Sequence, residues 1–181
     1  MIREIARLLA YVPLLLVLGC ADGSGNSKPQ ATTRPAARGI MLQDVQGLYG
    51  GQNVYIRWDG ATIVQVAEGG EGSNERRYEF KLQEDELRQL RSLITKHDFV
   101  NIRIKERMGV PDEALPTITV RPESGQAATV AKWAGDKDKD FDAVYDYLRG
   151  VVSKAKSRTP AYEGRFTYEW RPEGFEKFEQ F

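Results

Sequence analysis

One cysteine and one histidine are all that 181 residues provide of the side chains most used in redox, metal and nucleophilic chemistry. A lone thiol closes no disulfide within the chain and builds no cysteine metal site. Stability must therefore come from an apolar core. Acid–base chemistry near neutral pH would have to use His97 or carboxylates with shifted pKa values. Excess charge is also missing: 26 basic and 26 acidic residues cancel, so the chain has no overall basic footprint for nucleic acid. The apolar run Leu8 to Leu18 has eleven residues and contains Pro13. A membrane span takes roughly 20 apolar residues, so this run is too short to cross.

What surrounds the run is more telling. Arg3 and Arg7 precede it, diluted by Glu4, and Cys20 follows it behind the small Gly19. A basic start, a short apolar stretch and a small residue read as a secretory signal over 1–19. Val17-Leu18-Gly19-Cys20 resembles the lipobox of bacterial lipoproteins, with Val17 where Leu is usual. The resemblance implies cleavage before Cys20, a thioether-linked diacylglycerol on its sulfur and, in many bacteria, a further acyl chain such as palmitate. One myristoyl-length chain holds a protein only marginally, at about 0.8 kcal/mol per buried methylene, whereas two or more anchor it stably. The alternatives are an ordinary signal cut near Gly19 or Ala21, and an uncleaved anchor. Ala21, in place of an aspartate after the cysteine, favours the outer over the inner membrane. Losing residues 1–19 leaves 24 basic and 25 acidic residues, a net charge of −1.

Residues 21–39 read ADGSGNSKPQATTRPAARG, with no aromatic or large aliphatic side chain. Such a stretch buries too little surface to offset its ordering entropy, and 20–40 is expected to be a flexible tether. Gly23-Ser24-Gly25 is linker composition. The folded part is expected over 41–156. Strands are expected at 53–58 and 61–67, joined at Asp59-Gly60 by a type I′ hairpin turn with φ > 0 at both central positions. A third strand runs over 77–82, with Tyr78, Phe80 and Leu82 on one face. Glu84-Asp85-Glu86 opens a helix with acids at the positive end of its dipole; Leu87, Leu90, Leu93 and Ile94 keep its period and His97-Asp98 closes it. Phe99, Ile102 and Ile104 read as a short strand, 117–120 and 127–133 as two more. A second helix over 141–155 buries Phe141, Val144, Tyr145, Leu148, Val151 and Val152, capped by Asp138 or Asp140. The order β-β-β-α-β-β-β-α predicts an α+β fold: an antiparallel sheet of about five to six strands with both helices on one face, followed by an aromatic extension at 157–181.

From Tyr49-Gly50-Gly51 to Ala155 the chain resembles a family of bacterial envelope domains of unknown function. The resemblance lies in the glycine-rich entry, the Asp59-Gly60 turn, the helix Leu82-Gln83-Glu84-Asp85-Glu86-Leu87-Arg88-Gln89-Leu90 followed by Asp98-Phe99, and Asp112 with Pro116-Thr117-Ile118-Thr119-Val120. These are turn and core positions and imply no chemistry. The family is often found behind lipoprotein signals, in agreement with Cys20.

Candidate sites are few. Asp136-Lys137-Asp138-Lys139-Asp140 has the acid spacing of a calcium loop, but Phe141 and Tyr147 stand where an EF-hand needs Gly and a bidentate Glu. A solvated loop with a helix cap fits it better. His97 has no Gly-x-Ser-x-Gly elbow with it, and Asp98 is badly placed to orient it from the next position. Gly70-Glu71-Gly72-Ser73-Asn74-Glu75 leads into a strand, not the helix a nucleotide fingerprint needs. The tail is richer: Phe166, Tyr168 and Trp170 alternate as in a strand, and Phe175, Phe178 and Phe181 recur every third residue as on a helix face. They either cover an open face of the core or dock a partner, since aromatics dominate interface anchors. The expectation is a lipid-anchored envelope protein that binds and does not catalyse. Its partners would be the membrane through Cys20 and another envelope protein or peptidoglycan, with no cofactor and no nucleic acid. The alternatives are a structural or assembly factor, and thirdly a small enzyme using surface carboxylates or His97.

Overall fold

The computed structural model describes residues 38–124 and 126–175. In chain order these form β1 (Gly39–Gln46), β2 (Gly50–Arg57), β3 (Ala61–Ala67), β4 (Asn74–Lys81), α1 (Glu84–Lys96), a 3-10 turn (Phe99–Asn101), β5 (Thr117–Arg121), β6 (Ala128–Ala131), α2 (Lys139–Lys156) and β7 (Tyr162–Arg165). One antiparallel sheet takes all seven strands in the order β6-β5-β1-β2-β3-β4-β7. The α+β class holds. The expected five to six strands and the order β-β-β-α-β-β-β-α do not, because a strand precedes the first expected one, another follows α2, and one is lost.

The strand that precedes lies inside the sheet, third from the β6 edge. β1 pairs with β2 over eight residues and with β5 over five. It starts at Gly39, inside the stretch assigned to the tether. Its residues Gly39 to Leu42 are all buried, so both faces are covered and no polar–apolar alternation marks it. Alternation instead sorts its side chains. Ile40 and Leu42, with Val54 and Ile56 of β2 and Val64 of β3, join Leu87 and Leu90 of α1 and Phe141, Val144 and Leu148 of α2 in the main cluster. Met41 and Tyr55 point the other way and meet Phe175.

The Asp59-Gly60 hairpin forms, but with a different turn. Among residues 57–60 only Gly60 takes a positive φ, +91°, and its N–H donates to the Arg57 carbonyl at 2.9 Å. A three-residue loop with glycine in the left-handed region connects β2 to β3. The expected 99–104 strand is instead the 3-10 turn and irregular chain. Asp98, at φ +43°, turns the backbone left-handed after α1, with its carboxylate held by Asn101 Nδ2 at 2.9 and 3.0 Å.

The helix ends are specified locally. Glu86 accepts the Gln83 N–H at 2.8 Å, and Lys154 Nζ of α2 reaches the other Glu86 oxygen at 2.6 Å. Asp138, not Asp140, caps α2, accepting from the Asp140 and Phe141 N–H groups at 3.1 and 2.8 Å. Lys132, 4% exposed, ties the preceding loop down through the Asp136 carbonyl at 2.7 Å and Asp142 at 3.1 Å. The aspartates of 136–140 are thus structural, and no metal-competent cluster of His, Cys, Asp and Glu exists among the described residues.

Arg107 organises the long segment before β5. It forks onto both Glu113 oxygens at 2.9 and 2.6 Å and bonds Asp136 at 2.7 Å, while Glu113 also accepts the Gly135 N–H at 2.8 Å. The Arg107 guanidinium, then the Gly135 and Val110 N–H groups, hold the Glu113 carboxyl down at about 2 against its ordinary 4.5. A depressed folded-state pKa stabilises fully above 4.5 and is lost as pH falls towards 2. Amide exchange in 107–115 should therefore accelerate over that acid window. Glu113→Gln should show the fast exchange at neutral pH and no further acid step.

Candidate functional site

The C-terminal residues do two jobs in sequence. β7 adds to β4 with Tyr162 opposite Arg77 and Gly164 opposite Glu75. After Arg165 the chain turns back over the sheet face that carries Met41 and Tyr55. It is pinned there as a strap over 166–175. The Phe166 N–H donates to Ser73 O at 2.8 Å, Gly72 N–H to Phe166 O at 2.8 Å, and Tyr168 N–H to Glu71 at 2.8 Å. Trp170 and Phe175 meet Tyr55 edge-on at 5.9 and 5.4 Å between ring centres. The expected alternation over 166–170 is therefore a strap that turns at Tyr168-Glu169, with the strand four residues earlier, and Phe175 closes a turn on Pro172 O at 2.9 Å.

A polar row underlies the strap. Asn53 of β2 donates to Gln65 of β3 at 2.9 Å, Gln65 donates to Glu75 of β4, and Glu75 pairs with Arg77. The Glu75 side chain is fully buried. The Arg77 guanidinium lies between two rings, 4.2 Å from the centre of Tyr162 and 3.5 Å from that of Trp170. A buried ion pair gains little net stability over apolar packing because both charges lose water. This one links strap, β7 and sheet through a cation stacked on aromatics.

Between the strap and the sheet remains a cleft of about 300 Å³, lined among others by Gln43, Gln46, Asn53, Leu115, Thr117, Tyr168 and Arg171. Its β1 residues are 43–46, the far end of the strand from Gly39. Arg171 is fixed by its own backbone surroundings, Nη1 donating to Tyr168 O at 2.5 Å and Trp170 O at 2.7 Å. Beside it, the Tyr55 hydroxyl is buried and makes no hydrogen bond among the described residues. Burial pushes that phenol up to about 12, against the opposing pull of Arg171. Asp44 also lines the cleft, but its carboxylate accepts from Tyr145 of α2 at 2.7 Å and from Gln52 at 2.8 Å. Burial raises the Asp44 carboxyl, and those two donors lower it. The arrangement offers a fixed cation, side-chain amides and an aromatic wall, which suits binding.

The expected site residues fall into three groups. Phe166 and Phe175 are buried inside the chain, 1% and 2% exposed. Tyr168, 40% exposed, lines the cleft, whereas Trp170 packs against Tyr55 and Arg77. Cys20, Phe178 and Phe181 lie outside the described residues. His97 caps α1, and its Nδ1 meets Asp140 in the first turn of α2 at 2.7 Å. The orienting acid thus comes from 43 residues away and not from Asp98. No serine, threonine or cysteine hydrogen-bonds His97 among the described residues, and the pair joins two helix ends of opposite dipole sign. Sequence reasoning missed Arg171, Gln43, Asn53 and Arg77. A signal was present in β2, where Asn53 and Tyr55 alternate with Val54 and Ile56 and so mark a second, more polar covered face.

No family model, curated protein or solved structure matches the chain. No helix among the described residues is long and apolar enough to cross a membrane.

Proposed function

We propose that this is a lipid-anchored binding module of the bacterial cell envelope, tethered through Cys20 and offering the strap cleft to a partner. One sheet face, with both helices, serves stability; the other serves recognition. The observation that carries this reading is the cleft itself, with Arg171 held rigid among amides at the end of β1 opposite Gly39. The tether joins at Gly39, and eight residues at about 3.3 Å each separate the two ends by about 25 Å. The lipobox resemblance supports the anchor, with the outer membrane favoured by Ala21.

Cys20→Ser tests the anchor. The expected result is loss of metabolic palmitate labelling and transfer of nearly all protein from the membrane pellet to the soluble envelope fraction. A variant that still pellets, or natural protein with an unmodified thiol, would refute it. The cleft is tested separately by a bulky change at its wall, Thr117→Trp, which should abolish co-purification of a partner while the unfolding midpoint stays near wild type. Partner recovery undiminished by that change would remove the cleft from the reading and favour a structural or assembly role.

A further inference from the structure

We infer that the cleft takes an acidic side chain of a protein partner, its carboxylate set against Arg171 and the partner's apolar side chains resting on the rim. This deepens the binding reading above and depends on it. Three observations carry it.

The first is charge. Arg171 Nη1 is anchored by two carbonyls, and no carboxylate pairs with Arg171 among the described residues. The remaining guanidinium donors form a planar fork suited to a carboxylate. The acid that shares the lining, Asp44, already accepts from Tyr145 and Gln52, and Glu71 accepts the Tyr168 N–H. Gln43 and Gln46 make no side-chain hydrogen bond among the described residues that would compete for a guest. Among the described residues the site is therefore a fixed cation with side-chain amides around it, and the carboxylate in its lining, Asp44, already has two donors.

Size is the second. About 300 Å³ lies at the bottom of the range for ligand pockets, about 300–1,000 Å³. That admits one or two side chains and excludes most cofactors.

The rim is the third. Among the described residues eight large hydrophobics are prominently exposed; of these Leu115 and Tyr168 line the cleft, and Leu48 and Tyr49 stand in the β1–β2 turn beside it. Leu115 lies just before β5, whose Thr117 pairs with Gln43 at the same end of β1. A Cβ at Gly47 would stand 3.8 Å from the Tyr168 hydroxyl, which puts turn and strap in contact. Isolated exposed apolar residues are ordinary, but a clustered set ringed by polar groups marks an interaction surface. Apolar side chains on the guest match such a rim better than the hydroxyls of a glycan.

The experiment uses the full chain in intact envelopes and then in detergent. A photoreactive amino acid at Leu115 should crosslink to a partner, and mapping should place the crosslink within a few residues of an Asp or Glu. Neutralising that acid in the partner should reduce capture at least tenfold. Gln43→Glu, which sets a carboxylate in the cleft without touching the strap contacts of Arg171, should do the same. Arg171→Gln should agree wherever exchange shows the strap still closed. In detergent, acetyl-Leu-Glu-Leu-amide should shift Arg171 and Gln43 side-chain resonances, and the glutamine analogue should bind at least tenfold more weakly. Equal binding of the two peptides, or capture indifferent to Gln43→Glu, overturns the acidic anchor and leaves the binding module standing. Tighter binding of N-acetylmuramic acid overturns it in favour of a glycan. Absence of any crosslink from Leu115 overturns both.

Discussion

Arg77→Ala is expected to lower the unfolding free energy by about 3–5 kcal/mol, the usual cost of stripping one partner from a buried ion pair. Glu75 is left charged, fully buried and bonded only to Gln65. The stacking on Tyr162 and Trp170, worth about 0.5–2 kcal/mol for cation–π pairs, is lost with it. Urea unfolding followed by circular dichroism measures the effect. The decisive comparison is the double variant. Glu75→Gln removes the stranded charge and keeps an oxygen for Gln65, so Arg77→Ala with Glu75→Gln should be more stable than Arg77→Ala alone. If the double variant is worse than the single one, the damage comes from lost packing and the ion-pair account fails.

Phe175→Ala is expected to release the strap at a cost of about 3–5 kcal/mol, the range for deleting a buried phenylalanine. The ring is 2% exposed and contacts Tyr55 and Met41 in a small cluster separate from the main core. The loss should therefore be local. Amides of 166–175 should exchange freely, while those of β1, β2 and α2, which belong to the main cluster, keep their protection. The cleft would vanish with the strap, since Tyr168 and Arg171 form one of its walls. Uniform deprotection across the sheet would instead make the strap part of the global folding unit.

The two variants separate what the amino-acid pattern can convey from what it cannot. α1 was readable almost to the residue because its apolar period, its acidic first turn and His97 at its end all agree. α2 was readable for the same reasons, with Asp138 one of the two caps left open. β2 and β3 were legible through the glycine between them, although the turn type was not. A dihedral at Asp59 depends on how the strands twist, not on the dipeptide. β1 escaped because a strand covered on both faces loses alternation, and it follows a segment without any aromatic or large aliphatic residue. β7 escaped for the opposite reason: Tyr-Glu-Gly-Arg is polar and has little reason to be a strand except that β4 presents an open edge. The aromatic tail was legible as unusual, and covering an open face was one of its two readings. Which aromatics turn inward was not legible, because it depends on partners such as Tyr55 and Arg77 more than 80 positions away. The cleft was invisible throughout. Its residues come from four separated stretches, 43–46, 53, 115–117 and 168–171, none of which forms a motif.

The position of β1 has a mechanical consequence. Residue 38 leads straight into β1, an inner strand bonded on both sides over eight and five residue pairs. Tension at residue 38 runs along the strand axis and loads both ladders in shear, so many hydrogen bonds must yield together. A handle on an outer strand would peel bonds one by one. A body pulled from an inner strand bonded along both edges therefore resists more load than one pulled from its rim.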